Sequence, residues 1–303
     1  MPIRVVTDRL RFPEGPVALA DGSVLVVEIQ GQALTCVYGD GRIEVVAELD
    51  GGPNGAAMGP DGWVYICNSG GWSYVVESNG WVRPSGQAGS HGWIERVHLR
   101  TRAVERLYEA CDGQPLLAPN DLVFDHHGGF YFSDHGRRSP SEIRLGAVYY
   151  AAADGSAIRR VIQSLVTPNG IGLSPDGKTL YLAETVPRRL WAFAMSAPGE
   201  VEREPWPSPN GGRLLAGMPD AAYLDSLAID CEGHIAVASF QRCGIWDISP
   251  DGAERTFIPL DDFYATNICF GGPDGAAAYV TLSSTGRLAT FRWPRPGLKL
   301  PYV

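Results

Sequence analysis

The sequence predicts an all-β fold, a six-bladed β-propeller with four antiparallel strands per blade. The first observation is a phrase that occurs six times, in which a polar residue is followed seven positions later, usually by an acid, and then by glycine. Short apolar runs lie on both sides of each glycine turn, which is typical of a β-hairpin. We call the polar residues the leaders, and they are Glu14, Asn54, Asn120, Asn169, Asp225 and Asn267.

The second observation concerns how the ring closes. Residues 3–15 align with residues 158–170, which places an outer strand at the N-terminus with no blade in front of it. Residues 268–293 supply only the inner strands of the sixth unit. We therefore expect the N-terminal strand to complete the last blade of one propeller domain over residues 1–303. An open solenoid would need a capping repeat at each end, and the split sixth unit argues against it.

Composition narrows the class of protein. The 303 residues include 37 Gly and 23 Pro, which suits many short strands joined by tight turns, and no long apolar run suggests a membrane span. A net charge of -9 disfavours nucleic acid as a partner. The six cysteines lack zinc-like spacing, and the N-terminus has no apolar signal core. We expect a cytoplasmic protein, a monomer or a weak homo-oligomer, with no membrane partner.

The positions and residue types of the leaders indicate a functional site. Each stands at the entry to a predicted innermost strand, so all six would surround one end of the central channel. Asn and Asp at such positions often only satisfy backbone groups in turns. However, Glu14 and Asp225 replace asparagine in matching phrases, and two carboxylates facing one channel repel each other unless a cation lies between them. Oxygen donors favour Ca²⁺, Mg²⁺ or Mn²⁺, with Zn²⁺ or Fe²⁺ possible, and Asp225 could also transfer a proton.

Several phrases resemble those of the senescence marker protein (regucalcin)/gluconolactonase family of six-bladed propellers. The matching segments are FPEGP at 12–16, PND at 119–121, PNGIGLSPDG at 168–177, LDSLAID at 224–230 and TNICFGG at 266–272. The resemblance implies one divalent metal held by Glu14, Asn169 and Asp225, with Asn120 contacting substrate or a metal-bound water. It also implies hydrolysis of a lactone, with Asp225 as the acid/base.

Other residues are candidates for substrate binding. Asn54 is a further leader, and the long loop 69–95 places Trp72 on the predicted site, either as part of a lid or in a hairpin that buries its own aromatic residues. Sugar lactonases of the family have an arginine where this chain has Ala118. Some of them also have a lid carboxylate that, counting from Asn120, falls near Arg138. The loops at the leader end are basic, which favours an anionic substrate group. Their basic residues are His135, Arg137, Arg138, Arg144, Arg188, Arg189 and Arg242.

Two other functions fit the same residues. One is a phosphotriesterase that uses a similar oxygen-lined metal to hydrolyse organophosphates. The other is a propeller that binds calcium or another divalent metal without turnover. The leading hypothesis is a metal-dependent lactonase that opens a cyclic ester with water.

Overall fold

Six antiparallel sheets form the blades of a propeller in this computed structural model, which describes residues 2–89 and 91–303. In each blade the first strand named is the innermost, beside the central channel, and the last is the outermost. Blade 1 consists of Pro13–Ala18, Val24–Glu28, Ala33–Val37 and Ile43–Glu48. Blade 2 consists of Pro53–Met58, Trp63–Asn68, Trp93–His98 and Val104–Tyr108. Blade 3 consists of Pro119–Phe124, Gly129–Asp134, Gly146–Ala152 and Ile158–Leu165.

Blades 4 to 6 continue the pattern and complete the predicted fold. Blade 4 consists of Pro168–Leu173, Thr179–Glu184, Arg189–Ala197 and Arg213–Gly217, with the short strand Glu200–Val201 added to its third strand. Blade 5 consists of Tyr223–Ile229, Ile235–Phe240, Gly244–Ile248 and Arg255–Pro259. Blade 6 consists of Ala265–Gly271, Ala277–Leu282, Arg287–Arg292 and Arg4–Thr7.

The outermost strand of blade 6 comes from the N-terminus. Arg4 lies opposite Thr290 and Val5 opposite Ala289 in an antiparallel pair. Leu10 N also donates to Gly286 O, 3.0 Å away, which fixes the segment that leads into blade 1. The predicted closure is therefore confirmed, and it joins the two ends of the chain through backbone hydrogen bonds.

Each innermost strand is irregular at its leader. The pairing register shifts between Glu14 and Val17, and it shifts at the corresponding place in the other five blades. Such an irregularity breaks the strict alternation of a strand and redirects the side chains beside it. The leaders are buried at the channel end where the innermost strands begin, which we call the top.

Glycines after three leaders allow neighbouring blades to approach closely. A Cβ atom on Gly15 would lie 2.5 Å from Asn54 O, and one on Gly170 would lie 2.7 Å from Asp225 O. A Cβ atom on Gly55 would likewise lie 2.6 Å from Asn120 O. These positions require glycine because any side chain would push the leaders of adjacent blades apart.

Three short hairpins and the C-terminal tail stand outside the blades. The hairpins are Trp72–Val76 with Val82–Gln87, Ala110–Cys111 with Gln114–Pro115, and Arg137–Arg138 with Ile143–Arg144; a 3₁₀ turn covers Ser283–Thr285. The tail leaves blade 6 and crosses the bottom of the channel. Leu298 N donates to Ile229 O at 2.9 Å, and the ring of Tyr302 packs on Phe124. It bounds a largely apolar cavity of about 710 Å³ below the leaders.

All six cysteines are free thiols. In the described part of the chain, no helix has the length and apolar character needed to cross a membrane. The core lies between adjacent blades, where aromatic residues such as Tyr65 and Phe124 meet edge to face at 5.0 Å.

Removing residues 2–9 leaves the edge of Arg287–Arg292 unpaired, so the melting temperature should fall by about 5 °C or more and the protein should self-associate. Differential scanning calorimetry and size-exclusion chromatography measure the two effects. Val5→Thr is the control, because Val5 is 44% exposed and the substitution retains the strand pairing. An unchanged melting temperature in the truncated protein would contradict the closing role of this strand.

Candidate active site

The structure brings leaders from four neighbouring blades, and from both ends of the chain, together at the top of the channel. Asn267 Nδ2 of blade 6 donates to Glu14 Oε2 of blade 1 at 2.7 Å. Asn169 Nδ2 of blade 4 donates to Asp225 Oδ1 of blade 5 at 2.6 Å. Glu14 and Asp225 are close enough to repel each other electrostatically. The proposed ligands Glu14, Asn169 and Asp225 therefore share one site.

Glu14 is held rigidly at its position. Its Oε2 accepts hydrogen bonds from Gly15 N, at 2.7 Å, and from Asn267 Nδ2. Burial raises the pKa of Glu14 to about 8, although the hydrogen bonds from Asn267 and Gly15 partly oppose this shift. Asn267 cannot readily rotate, because its Oδ1 accepts from Ile268 N at 2.8 Å. Asn267 therefore holds Glu14 in place through Nδ2, while its Oδ1 already accepts a backbone hydrogen bond.

Asp225 is the second buried carboxylate of the site. Burial raises its pKa well above the usual range, and the nearby Glu14 raises it further. Asn169 orients it: the Nδ2 group of Asn169 donates to Asp225 and also to Thr185 Oγ1, 3.1 Å away. Oδ1 of Asn169 accepts a long hydrogen bond from Ser226 Oγ, at 3.4 Å.

Asp121 is a third carboxylate at the site, and the sequence reasoning missed it. It follows the leader Asn120, at the position that is glycine after Glu14, Asn54 and Asn169. Burial raises the pKa of Asp121 to about 7, and its charge adds to the repulsion at Glu14 and Asp225. The replacement of glycine by aspartate within the repeat was the signal that could have found it.

The residues fit a divalent cation. Neither Glu14 nor Asp225 forms an ion pair with Lys or Arg among residues 2–89 and 91–303. In addition, Asn120 Oδ1 is buried without a hydrogen-bond partner in the described chain. An orphaned carbonyl oxygen beside buried carboxylates is a donor set suited to a hard cation.

Buried polar side chains at the ends of four second strands fix the loops that carry the leaders. Glu28 Oε2 accepts from Arg11 N at 2.6 Å, and Glu184 Oε1 accepts from Val166 N at 2.6 Å. Asp134 binds the backbone N–H groups of residues 117, 118 and 136, and Asn68 Oδ1 accepts from Gly52 N at 2.8 Å. These contacts keep the site preorganised because each loop has its backbone donors satisfied by a buried side chain.

The hairpin 72–87 spans the top of the ring. Gln87 Nε2 donates to Gly136 O of the loop after the second strand of blade 3, at 3.1 Å. On the opposite side, Ser284 Oγ of blade 6 donates to Val82 O at 2.6 Å. The hairpin thus rests on both sides of the channel, which is the arrangement expected of a lid.

The proposed substrate-binding residues differ in their surroundings. Trp72 Nε1 donates to Ser69 Oγ in its own loop, at 3.2 Å, and Tyr74 is the aromatic residue of the hairpin that interacts electrostatically with Glu14. Asn54 is buried beside Gly15. His135 Nδ1 is buried without a hydrogen-bond partner among the described residues. Burial lowers the pKa of this imidazole to about 4, so it is neutral at pH 7.

Three of the arginines at the top differ in whether their side chains have partners away from the leaders. Arg188 donates to the backbone of Asp220, and Arg242 Nη1 lies 3.2 Å from Asp220 Oδ2, so both have partners away from the leaders. Arg138 is exposed on the loop after blade 3's second strand, and its backbone N donates to Gln87 Oε1 of the lid hairpin at 3.2 Å.

A second cluster of potential metal ligands lies elsewhere and is already neutralised. Asp230, His234 and Asp247 of blade 5 lie close together. Arg295 of the tail occupies the space between them, with Nη2 at 2.6 Å from Asp247 Oδ2 and Nε bonded to Asp230 Oδ2. Because a guanidinium already balances these carboxylates, the leaders are the better candidate metal centre.

Comparison with known proteins gives the family. The family model described as SMP-30/Gluconolactonase/LRE-like region matches residues 12–284. The chain belongs to this family. The match includes all six leaders, so the earlier resemblance is confirmed at the level of the family.

The individual relatives match this chain over only part of its length or at low sequence identity. A 121-residue segment is 36% identical to the lactonase drp35 of Staphylococcus aureus (strain MW2), and it covers 40% of this chain and 35% of that relative. A gluconolactonase structure from Xanthomonas campestris has a TM-score of 0.76 at 22% identity, covering 96% of this chain and 89% of that one. A calcium-binding regucalcin from Agrobacterium tumefaciens has a TM-score of 0.75 at 19% identity, covering 99% and 98%. These structures support the six-bladed fold.

The raised pKa of Glu14 predicts how pH affects stability. The folded protein keeps this proton up to about pH 8, whereas the unfolded chain releases it near 4.5. Without metal, the contribution of Glu14 to the free energy of unfolding is therefore greatest below pH 4.5 and falls as pH rises toward 8. Thermal unfolding in chelator across this range should show that decline, with a flatter profile in Glu14→Gln.

Added Ca²⁺ or Mn²⁺ should raise the melting temperature more at pH 8 than at pH 5, because the carboxylates must lose their protons to bind a cation. Glu232→Gln is the matched control, since Glu232 is an exposed acid of the blade 5 hairpin turn at the bottom. A metal-induced shift that Glu14→Gln leaves unchanged would contradict the assignment of Glu14 as a ligand.

Proposed function

We propose that the protein is a metal-dependent lactonase that opens a cyclic ester with water. The observation that carries this proposal is the pair of buried carboxylates, Glu14 and Asp225, which no described basic side chain neutralises. Membership of the gluconolactonase family supports it, as does the partial match to relatives named lactonase.

Glu14, Asn169 and Asp225 are the residues that would hold the cation, with Asn120 beside them. When bound, a divalent cation polarises a carbonyl oxygen and lowers the pKa of water. Asn169 would turn its Oδ1, which is held by just a long contact with Ser226 in the described chain, toward the cation. The metal itself, whether Ca, Zn, Mg, Mn or Fe, is left open by an all-oxygen donor set.

Asp225 is the proposed acid/base. As the oxygen of water bonds to the lactone carbonyl carbon, the Asp225 carboxylate takes a proton from that water. When the ring C–O bond breaks, the same carboxyl returns a proton to the departing ring oxygen, so that lactone and water give one hydroxy acid. The hydrogen bond from Asn169 to Oδ1 orients the carboxyl group, and in this proposal Oδ2 is the oxygen that exchanges the proton.

Asn120 and the lid are proposed to position the substrate. The unpartnered Oδ1 of Asn120 would accept a hydrogen bond from water or from a substrate hydroxyl. The hairpin 72–87 limits the access of bulk water, which strengthens electrostatic interactions with the buried carboxylates.

The central test measures the turnover of a panel of lactones at neutral pH, monitored as the release of protons. It is run with chelator and with each added metal. Wild-type protein should hydrolyse at least one lactone, and Glu14→Gln and Asp225→Asn should lower kcat/KM by about 100-fold or more with the fold retained. Glu232→Gln serves again as the control and should retain full activity. Circular dichroism and thermal unfolding report whether each variant is folded.

Two outcomes would replace the lactonase proposal. Turnover of phosphotriesters without turnover of lactones would identify an organophosphate hydrolase at the same site. Tight metal binding with no turnover of lactone, ester or phosphotriester would identify a non-catalytic metal-binding propeller.

An anionic substituent on the substrate is a further part of the proposal. Arg138→Ala should lower kcat/KM about 10-fold for a carboxylated lactone and have little effect on a neutral one, because an exposed guanidinium near the lid suits a carboxylate. Arg188→Ala is the matched control, since Arg188 is bonded to the backbone of Asp220. Equal effects of Arg138→Ala on neutral and carboxylated lactones would contradict the prediction.

A further inference from the structure

Two neighbouring serines of blade 6 contact different parts of the site. Ser283 and Ser284 belong to the 3₁₀ turn that follows the second strand of this blade, at the top. Ser283 Oγ donates to Pro13 O, the carbonyl group directly before the leader of blade 1, at 2.6 Å. Ser284 Oγ donates to Val82 O of the lid hairpin, also at 2.6 Å. One short turn therefore joins the segment that carries a carboxylate leader to the lid.

The turn is fixed to its own blade by a buried acid. Asp262 Oδ1 accepts from Ser284 N at 3.3 Å, and Asp262 Oδ2 accepts from Thr285 N at 3.0 Å. Gly286 N donates to Ser283 O at 3.3 Å, which closes the turn. Because the turn is held on several sides, a displacement at one serine is passed to the other rather than absorbed between them.

A chain of buried hydroxyl groups runs from blade 6 to blade 1. Thr266 Oγ1 lies 2.9 Å from Thr281 Oγ1 and 2.6 Å from Ser283 Oγ. Each hydroxyl has one proton, and a carbonyl oxygen can only accept. Since Ser283 donates to Pro13 O, Thr266 must donate to Ser283, and Thr281 must donate to Thr266. The chain thus has one direction, toward blade 1.

This direction determines what reaches the Glu14 carboxyl. Thr266 precedes Asn267, which donates to Glu14, and it also lies beside the carboxyl group itself. However, the proton of Thr266 is committed to Ser283 while the chain is intact. The hydrogen bonds from Gly15 and Asn267 both fall on Glu14 Oε2. The chain therefore holds the surroundings of Glu14 and leaves its Oε1 available to a cation.

We propose that Thr266 and Ser283 are positioning residues for the cation that Glu14 would hold, and that Ser284 links this position to the lid. Closing the lid then strengthens cation binding, and a bound cation favours the closed lid to the same extent, because coupling between two equilibria is reciprocal. This inference rests on the proposed cation site and adds the residues that connect it to the lid.

The positioning role is tested by calorimetry of the whole protein with Ca²⁺, and with Mn²⁺, Mg²⁺ or Zn²⁺ if Ca²⁺ does not bind. Thr266→Val keeps the side-chain shape but lacks the hydroxyl, and it should weaken binding about 10-fold, as should Ser283→Ala. Thr266→Ser keeps the hydroxyl and should bind nearly as tightly as wild type. Ser249→Ala is the matched control, because Ser249 is a buried, hydrogen-bonded serine at the bottom of blade 5.

Hydrogen exchange of residues 72–87 tests the link to the lid. The bound cation should slow backbone exchange in this hairpin, and Ser284→Ala should remove most of that effect and weaken cation binding about 3-fold. The effects of Thr266→Val and Ser284→Ala on cation affinity should not be additive, since both act through one turn. Lid exchange that the cation leaves unchanged, or effects that simply add, would overturn the link.

Lactone turnover, measured on the same proteins, separates this inference from the proposed function. Wild-type cation affinity in both Thr266→Val and Ser283→Ala, with lactone turnover retained, would overturn the inference and leave the lactonase proposal intact. Weakened affinity in these variants, without turnover of any lactone by wild type, would support the positioning role and overturn the catalytic proposal. A wild-type protein that binds none of the four cations would overturn both. Thermal unfolding reports whether each variant is folded, and Thr266→Val decides the outcome if Ser283→Ala is not.

Discussion

Closure of the ring is the constraint on which the site depends. The N-terminal strand pairs with the last strands of the chain, and this pairing places the blade 1 leader beside that of blade 6. Asn267 and Glu14, 253 positions apart, are consequently joined by a hydrogen bond of 2.7 Å. Without closure, Glu14 would lose the group that orients it, and the channel would open to water on one side.

The closed ring collects negative charge that the fold does not neutralise. Glu14, Asp121 and Asp225 are buried near one another, so deprotonation of the three acids opposes folding. Buried acids elsewhere have partners that stabilise their charge. Asp134 accepts hydrogen bonds from several backbone N–H groups, and Asp230 forms an ion pair with Arg295. A cost in stability that is confined to the channel top is typical of a functional site.

Much of this arrangement could be predicted from local patterns. The hairpin phrase predicted the six blades, and the two carboxylates among asparagine leaders pointed to Glu14 and Asp225. Asp121 escaped because it lies one position after a leader, where only the irregular register of the innermost strand decides which side chains enter the channel. The sequence placed the loop 69–95 over the site, but its contacts with blades 3 and 6 could not be predicted, because nothing local determines where a long loop folds back.

The sequence by itself determined the number of blades, the strand that closes them and the identity of the polar leaders, because hairpins and strand periodicity are local properties. Only the tertiary structure decided which leaders touch, that Asn267 positions Glu14, that the lid hairpin packs Tyr74 against Phe12, and that residues 296–303 cross the channel bottom. These features depend on contacts between residues far apart in the chain, which form only once the blades are packed around a common axis.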